Sequence, residues 1–191
     1  QLPVDMLSAS AHKFHGPKGI GFLYVRRNIS LPSFIHGGSQ ENGKRAGTEN
    51  VAGIVGMGKA IEIVTKEMEI NQRRQRMLRN TMVDMIMTQI PDVIYNGHPI
   101  KRLPGNVSVS FKGIDAGSLL IMLEENGICA SAGSACNTSD RSVSHVIKAI
   151  DVPEEYKNGT IRFSIGTENT KDEIIKTVKI LKENVALLRK G

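Results

Sequence analysis

One helical pattern runs through the middle of the sequence, from Val51 to Ile90, and it constrains the fold more than any other feature. Its apolar positions recur at the three- and four-residue spacings of one helix face: Met57, Ile61, Val64, Met68, Leu78, Met82 and Met85. The polar stretch Glu69 to Arg76 lies where a linker between two lobes is expected, and Pro91 ends the pattern. The sequence therefore predicts one long or broken helix that joins two lobes.

Two short strands and a functional loop are predicted before this helix. Small and apolar residues from Met6 to Ala11 predict a buried strand, and the segment from Gly21 to Arg26 predicts a second one. The residues between them include the turn-rich run His15-Gly16-Pro17-Lys18-Gly19. The stretch from Gly37 to Asn50 has too few apolar residues for a core element, so it is expected to be an ordered, exposed loop.

The segment after the helix predicts a complete small α+β lobe. Val107, Val109 and Phe111 alternate with serines, as in a strand that is buried on one face, and residues 161–165 repeat this alternation. Three helices are predicted. The first runs from Ala116 to Glu125 and is ended by Asn126-Gly127, and the second runs from Val143 to Ile150. The third begins at a capping box formed by Thr170 and Glu173 and has one apolar stripe, made of Ile174, Val178, Leu181, Val185 and Leu188. Asn96 and His98 are expected in turns. The overall class is α/β, with residues 1–75 as the end of a larger α/β domain and 76–191 as a small α+β domain.

Composition narrows the class of protein further. A chain of 191 residues, 40% of them hydrophobic, is long enough to bury a substantial core without needing disulfides or metal ions. Only Cys129 and Cys136 are present, and neither a secretion signal nor a membrane-length apolar run occurs, so we expect a soluble protein of the reducing cytoplasm. The net charge of +6 is scattered and aromatic residues make up 4%, which argues against direct nucleic-acid binding. Because the chain starts at Gln1 without a start signal, we expect it to be truncated there.

The end of the first strand carries the first candidate for chemistry, Lys13. A lysine after a buried strand loses water, and desolvation favours the neutral amine that forms a Schiff base with a carbonyl group. Ser10 and His12 would donate hydrogen bonds to a phosphate, while Gly16 and Gly19 allow close approach of the backbone. The alternative is an ordinary surface lysine in a turn.

The second lobe carries two further candidates, Arg162 and Cys136. Arg162 lies between Ile161 and Phe163, so strand alternation turns it away from their buried face and leaves it free to hold a carboxylate. Cys136 follows a run of small residues typical of an exposed loop, where a thiolate acts as a nucleophile. The alternative for Arg162 is a solvated strand arginine.

The other cysteine and two histidines are given no catalytic role. Cys129, between Ile128 and Ala130, is expected to be a buried structural residue. The two cysteines lack the spacing and the further ligands of a metal site, and a disulfide between them is not expected in the cytoplasm. His36 and His145 are expected in a loop and on a helix surface, respectively.

Four motifs in order give the chain a specific resemblance. They are Ser8-Ala9-Ser10-Ala11-His12-Lys13-Phe14-His15-Gly16-Pro17-Lys18-Gly19-Ile20-Gly21, His36-Gly37-Gly38 with Arg45-Ala46-Gly47-Thr48-Glu49-Asn50, Ala130-Ser131-Ala132-Gly133-Ser134-Ala135-Cys136, and Ile161-Arg162-Phe163-Ser164. Together they resemble the C-terminal half of NifS/IscS-type cysteine desulfurases, which belong to the class V aminotransferase-like, fold-type I enzymes that use pyridoxal 5'-phosphate. The resemblance implies the C-terminal part of that large domain followed by the small α+β domain.

The resemblance also implies a role for each candidate. Lys13 would carry the cofactor and move protons at the substrate Cα, and Ser10 and His12 would bind its phosphate. Thr48 would reach the phosphate in a partner subunit, which implies a homodimer with shared sites, although a helix N-cap is the alternative for this residue. Arg162 would hold the carboxylate of L-cysteine. Cys136 would take the sulfur as a persulfide, leave L-alanine, and pass the sulfur to an acceptor or iron-sulfur scaffold protein.

Family motifs that contact the cofactor ring belong to an N-terminal half that is not in this sequence, so we expect the chain alone to be inactive and to bind the cofactor weakly or not at all.

Three other functions stay open at this point. Selenocysteine lyase, or another class V enzyme, shares the lysine segment. A non-enzymatic small domain that docks sulfur acceptors, or a basic nucleic-acid binder, would represent a different class of function.

Overall fold

The computed structural model describes residues 3–133 and 144–190. The chain divides into two compact units, Gln1–Met68 and Glu69–Gly191, which we call unit 1 and unit 2. The division falls at the start of the polar stretch of the long helix. The domain boundary between residues 75 and 76 stays a prediction.

Unit 1 contains a two-stranded antiparallel sheet that carries a tight turn. Strands β1 (Met6–Ser10) and β2 (Gly21–Val25) pair in a register that sets Met6 opposite Val25. The two strands are confirmed, but the predicted burial of the first strand is wrong, because β1 is almost entirely exposed and Leu23 of β2 keeps 50% of its surface. Side chains of a strand alternate between two faces, and a pair of strands by itself covers neither face.

Helix α1 (Val51–Gln89) is continuous, which confirms the long helix predicted from the sequence. Asn50 begins it, since the Asn50 Oδ1 atom accepts a hydrogen bond of 3.0 Å from the Gly53 N–H. The alternative that Thr48 caps this helix is therefore wrong, because the cap lies two residues later. Within the described part of the chain, no helix is both long and apolar enough to cross a membrane.

The loop before α1 follows its prediction in outline. Residues 37–50 are exposed apart from Gln40, which is half-buried, and Ala46, which is buried. The short 3-10 turn Gln40–Gly43 lies within the loop.

Unit 2 is a three-stranded antiparallel sheet with helices packed on one face. Its strands are β3 (Val93–Tyr95), β4 (Asn106–Phe111) and β5 (Thr160–Ser164), in the order β3-β4-β5. Its helices are α2 (Ala116–Glu125), α3 (His145–Ala149), α4 (Glu154–Lys157) and α5 (Lys171–Leu188), besides the second half of α1. A single apolar core forms where the sheet meets α1, α2 and α5, and its most buried members include Met82, Ile86, Val107, Val109, Phe111, Leu119, Leu123, Ile161, Val178 and Leu181.

Local signals for these elements are confirmed in detail. Helix α2 ends before Gly127, whose positive φ of 73° is a conformation that glycine adopts without strain. The capping box at α5 is complete, since the Thr170 N–H donates to the Glu173 carboxylate over 2.8 Å and the Glu173 N–H donates to the Thr170 hydroxyl over 3.3 Å.

The second face of this sheet is polar and yet partly buried, which corrects two expectations. Ser110 was expected on a solvated face, but it is fully buried and bonds to Asn96 and to Thr160 over 2.7 Å. Asn96, expected in a turn, is buried beside β3, where its Nδ2 atom donates to Ser108 and Ser110. The reason is that buried polar groups need partners, and these four residues supply them to one another. His98 does lie in a turn, where its Nδ1 atom accepts the Ile100 and Lys101 N–H groups.

Candidate active site

The 3-10 turn Ala11–Phe14 follows β1 directly and holds the backbone of the lysine segment. The Ala11 N–H donates to the Ile20 carbonyl over 3.0 Å, and the Gly16 N–H donates to the Ala11 carbonyl over 2.8 Å. A Cβ atom on Gly16 would lie 2.9 Å from the Ala11 Cβ, so the turn closes only with glycine at this position. The backbone that presents His12 and Lys13 is therefore fixed by contacts on both sides.

Ser10 ends β1, His12 and Lys13 lie on the turn that follows it, and the side chains of all three are exposed. None of them makes a hydrogen bond or ion pair with another residue in the described ranges. The expectation that Lys13 has lost its water is wrong for this chain, because the strand before it is not buried. The strand end and the turn instead offer a hydroxyl, an imidazole and an amine, none of them bonded to a described residue, to a ligand from outside.

Thr48 lies in a braced loop of the same unit. Arg45 donates from its Nη1 atom to the Gly47 carbonyl over 2.8 Å and to the Thr48 carbonyl over 3.3 Å, and Gln40 accepts the Gly47 N–H over 3.1 Å. Gly47 has φ of 99°, which other residues rarely adopt. The Thr48 side chain is exposed, and among described residues no hydrogen bond connects it with the lysine turn.

Arg162 lies on β5 of unit 2, on the face opposite to Ile161 and Phe163 as its alternation predicts. It is half-buried. Its Nε atom is covered by protein and has no hydrogen-bond partner within residues 3–133 and 144–190. On the outer edge of β5 its backbone exchanges two hydrogen bonds with Ser131, of 2.7 Å and 3.1 Å. Arg162 and Lys13 thus belong to different units.

The structure tests the prediction for one of the two cysteines, Cys129. Cys129 was expected in a buried strand, but it is exposed and its segment is not a regular strand. Its neighbours Ile128 and Ala130 pack against the core, and the alternation between them turns Cys129 outward. Cys136, the predicted nucleophile, lies outside the described residues. His36 lies in a loop and His145 is the first residue of α3, as expected, and that neither has a catalytic role stays a prediction.

Sequence reasoning missed the polar residues around Arg162. Asn96, Ser108, Ser110 and Thr160 form one hydrogen-bonded group on the same face of the sheet as the arginine. A signal for them was present, because the outward positions of β4 are serines rather than the long charged residues that solvated strand faces favour.

Comparison with known proteins agrees with the resemblance read from the motifs. The family model "Aminotransferase class-V" matches residues 1–176, and the chain belongs to this family. The chain is 47% identical, over 99% of its own length, to "Cysteine desulfurase IscS" from Dictyoglomus turgidum and 45% identical to the protein of the same name from Methanosarcina thermophila. It covers 48% and 46% of these two proteins, so it spans about half the length of the curated relatives it matches.

Solved structures give the same result for the fold. A "NIFS-LIKE PROTEIN" superimposes with a TM-score of 0.85 at 35% identity, over 97% of this chain and 47% of that one. A NifS-like protein from Rickettsia africae follows with a TM-score of 0.81 at 27% identity, covering 98% of this chain and 48% of its own. The predicted α/β class and the family are therefore confirmed.

Proposed function

We propose that the protein containing this chain is a pyridoxal-phosphate-dependent cysteine desulfurase that converts L-cysteine to L-alanine and transfers the sulfur to Cys136. The observation that carries the proposal is the lysine turn, where the exposed side chains of Ser10, His12 and Lys13 lie within four consecutive residues and bond to no other described residue. Its relatives at 45–47% identity, which are named cysteine desulfurases, support the same reaction.

The residues of the turn fit this cofactor. Its phosphate is an anion that accepts hydrogen bonds, which the Ser10 hydroxyl and the His12 imidazole donate. Its carbonyl reacts with a primary amine, and Lys13 supplies one on the same turn. When bound, the cofactor withdraws electrons from the substrate Cα. Lys13 then holds and returns the proton at that carbon.

Arg162 and Cys136 complete the proposed reaction. The planar guanidinium of Arg162 binds the α-carboxylate of L-cysteine through two parallel hydrogen bonds. The Cys136 thiolate attacks the substrate sulfur, so that a sulfur–sulfur bond forms as the carbon–sulfur bond breaks and its electrons stay with carbon. Protonation of that carbon gives L-alanine, and Cys136 keeps a persulfide.

The proposal extends to the assembly and its partners. Thr48 lies exposed on a braced loop, which suits a hydroxyl that donates to the phosphate in a second subunit, so we include a homodimer with shared sites. A sulfur-acceptor or iron-sulfur scaffold protein would receive the persulfide sulfur in the cytoplasm.

Alanine release by the purified holoenzyme tests the role of Lys13. Lys13→Ala is expected to abolish alanine release from L-cysteine and to remove the visible absorption of the bound cofactor, because no other amine of the turn replaces it. Lys18→Ala is the matched control, since Lys18 is an exposed lysine five residues further along the same loop, and it should keep both properties. Equal loss in both variants would contradict the assignment.

Two further arms of the same assay separate the rival activities. Cys136→Ala should abolish sulfur transfer, with Cys129→Ala as the control that retains it. Intact transfer in the first variant would favour a docking domain without a catalytic cysteine. Release of alanine from selenocysteine but not from cysteine would indicate a selenocysteine lyase.

A further inference from the structure

Four polar side chains lie in one row across the sheet of unit 2, with Arg162 among them. Ser108 of β4 is directly opposite Arg162 of β5, and Ser131 is opposite Arg162 on the other edge. Asn96, beside β3, donates its N–H to the Ser108 carbonyl over 2.9 Å and so continues the row. Residues directly opposite one another in antiparallel strands project on the same face. Arg162 is therefore flanked by a serine on each side.

The Ser108 hydroxyl is held in place on this face. The Asn96 Nδ2 atom donates to the Ser108 Oγ atom over 3.1 Å and to the Ser110 Oγ atom over 2.8 Å. Ser110 is bonded in turn to Thr160, and Asn96, Ser110 and Thr160 are all buried. A hydroxyl oxygen accepts two hydrogen bonds, so Ser108 keeps one acceptor position after Asn96 has taken the other.

The Nε–H group of Arg162 is a donor that suits the open acceptor position of the Ser108 hydroxyl. This Nε–H is covered by protein and has no partner among the described residues, although a buried N–H is usually paired. The Ser131 hydroxyl, on the opposite side, is turned to its own segment, since it donates to the Gly133 carbonyl over 3.0 Å and accepts the Gly133 N–H over 3.3 Å. Ser108, in contrast, lies within the regular pairing of β4 with β5, which keeps its hydroxyl on the same face as the Arg162 side chain.

We propose that Ser108, held by Asn96, is a positioning residue for Arg162. Its hydroxyl accepts the Arg162 Nε–H when the carboxylate of the substrate is bound. This contact fixes the plane of the guanidinium, so that its two terminal nitrogens meet the two carboxylate oxygens in parallel. The inference rests on the proposed function, because it takes Arg162 as the carboxylate-binding residue.

Two ligands that each lack one of the substrate's three polar groups test this role in the holoenzyme. β-Mercaptopropionate has the thiol and the carboxylate, whereas cysteamine has the thiol and the amine. In Ser108→Ala, calorimetry should find the Kd of β-mercaptopropionate raised about tenfold, the scale of one hydrogen bond to a charged group. The Kd of cysteamine should stay within about twofold, because cysteamine offers nothing to Arg162. Ser108→Thr, which keeps the hydroxyl, should restore carboxylate binding.

Ser110→Ala is the matched control, since this serine lies on the same face of the same strand and bonds to the same asparagine. It should lower the melting temperature, leave the Kd of cysteamine unchanged and weaken β-mercaptopropionate less than Ser108→Ala does, because Ser110 acts on Ser108 only through Asn96 and is opposite Thr160, not Arg162. The proposal is overturned if Ser108→Ala weakens both ligands equally, weakens neither, or if Ser110→Ala has the same selective effect. Calorimetry does not depend on turnover, so absence of alanine release would reject the proposed function separately.

Discussion

The two units of this chain bury their apolar residues to very different degrees. In unit 2, Phe111, Leu119 and Leu123 are fully buried in a core built from that unit's own helices and sheet. In unit 1, the strands that lead into and out of the lysine turn expose Leu23 and Tyr24 by 50% and 47%. In this chain, which spans about half the length of its relatives, the residues proposed for cofactor binding therefore stand on backbone stabilised by hydrogen bonds, with little apolar burial.

This contrast has an energetic meaning. Apolar burial contributes about 25 cal/mol for each Å² removed from water, so a fully buried ring is among the largest single contributions to stability. A half-exposed side chain on a two-stranded sheet has already lost much of that contribution. Within the described residues, unit 2 should therefore resist unfolding more strongly than the sheet of unit 1.

The largest expected effect is a truncation in the core of unit 2. Phe111→Ala should lower the free energy of unfolding by about 3–5 kcal/mol, because it removes a ring with no exposed surface and leaves a cavity. Leu23→Ala in unit 1 should cost less than about 1 kcal/mol, since half of that side chain already contacts water. Urea denaturation of each variant measures both values.

Phe111→Leu serves as a second variant if Phe111→Ala does not fold. It keeps an apolar side chain, so it should lower the free energy of unfolding less than the alanine substitution does. Comparable losses for Phe111→Ala and Leu23→Ala would break the contrast between the two units.

A smaller effect is expected at the start of α1, where unit 1 depends on a polar contact. Asn50→Ala should lower stability by about 1 kcal/mol, because the Gly53 N–H then loses its side-chain acceptor. Thr48→Ala, two residues earlier, should leave thermal stability unchanged, since its exposed side chain bonds to no residue in the described ranges. Thermal melts followed by circular dichroism make the comparison. A matching loss in both variants would restore Thr48 as the helix cap.

The elements that the sequence predicts well are those with local causes. The α5 capping box, the stop of α2 at Gly127 and the alternation of Val107, Val109 and Phe111 depend on residues a few positions apart. The lysine turn is predictable for the same reason, because the glycines and polar residues that form it are close together in the sequence. The continuous α1 follows from the spacing of its apolar residues.

What the sequence did not predict depends on residues far apart in the chain. The burial of Ser110 follows from Asn96 and Thr160, which are 14 and 50 positions away. The exposure of Cys129 follows from Ile128 and Ala130 packing on a core assembled from several elements. The serines beside Arg162 are set by strand register, which a single sequence does not specify.

The smallest expected effect concerns the pH dependence of unit 2, through the Glu173 carboxylate at the start of α5. The Thr170 backbone N–H and the Asn169 side chain both donate to this carboxylate and lower its pKa below the ordinary value of 4.5. A lowered pKa in the folded state means that the contribution to stability is complete above the unfolded value. It is then lost as the pH falls through the folded value. The capping box should therefore weaken only in acid.

A pH series with two glutamine variants checks this expectation. Glu173→Gln should be slightly less stable than the wild type at pH 7, and the difference should shrink as both proteins are taken below the ordinary pKa of 4.5, where the wild-type carboxylate becomes neutral as well. Glu183→Gln is the control, because Glu183 is an exposed glutamate of the same helix whose side chain bonds to no described residue. A Glu173→Gln difference that stays constant across the series would mean that the carboxylate charge contributes nothing and that the shape of the cap alone stabilises α5.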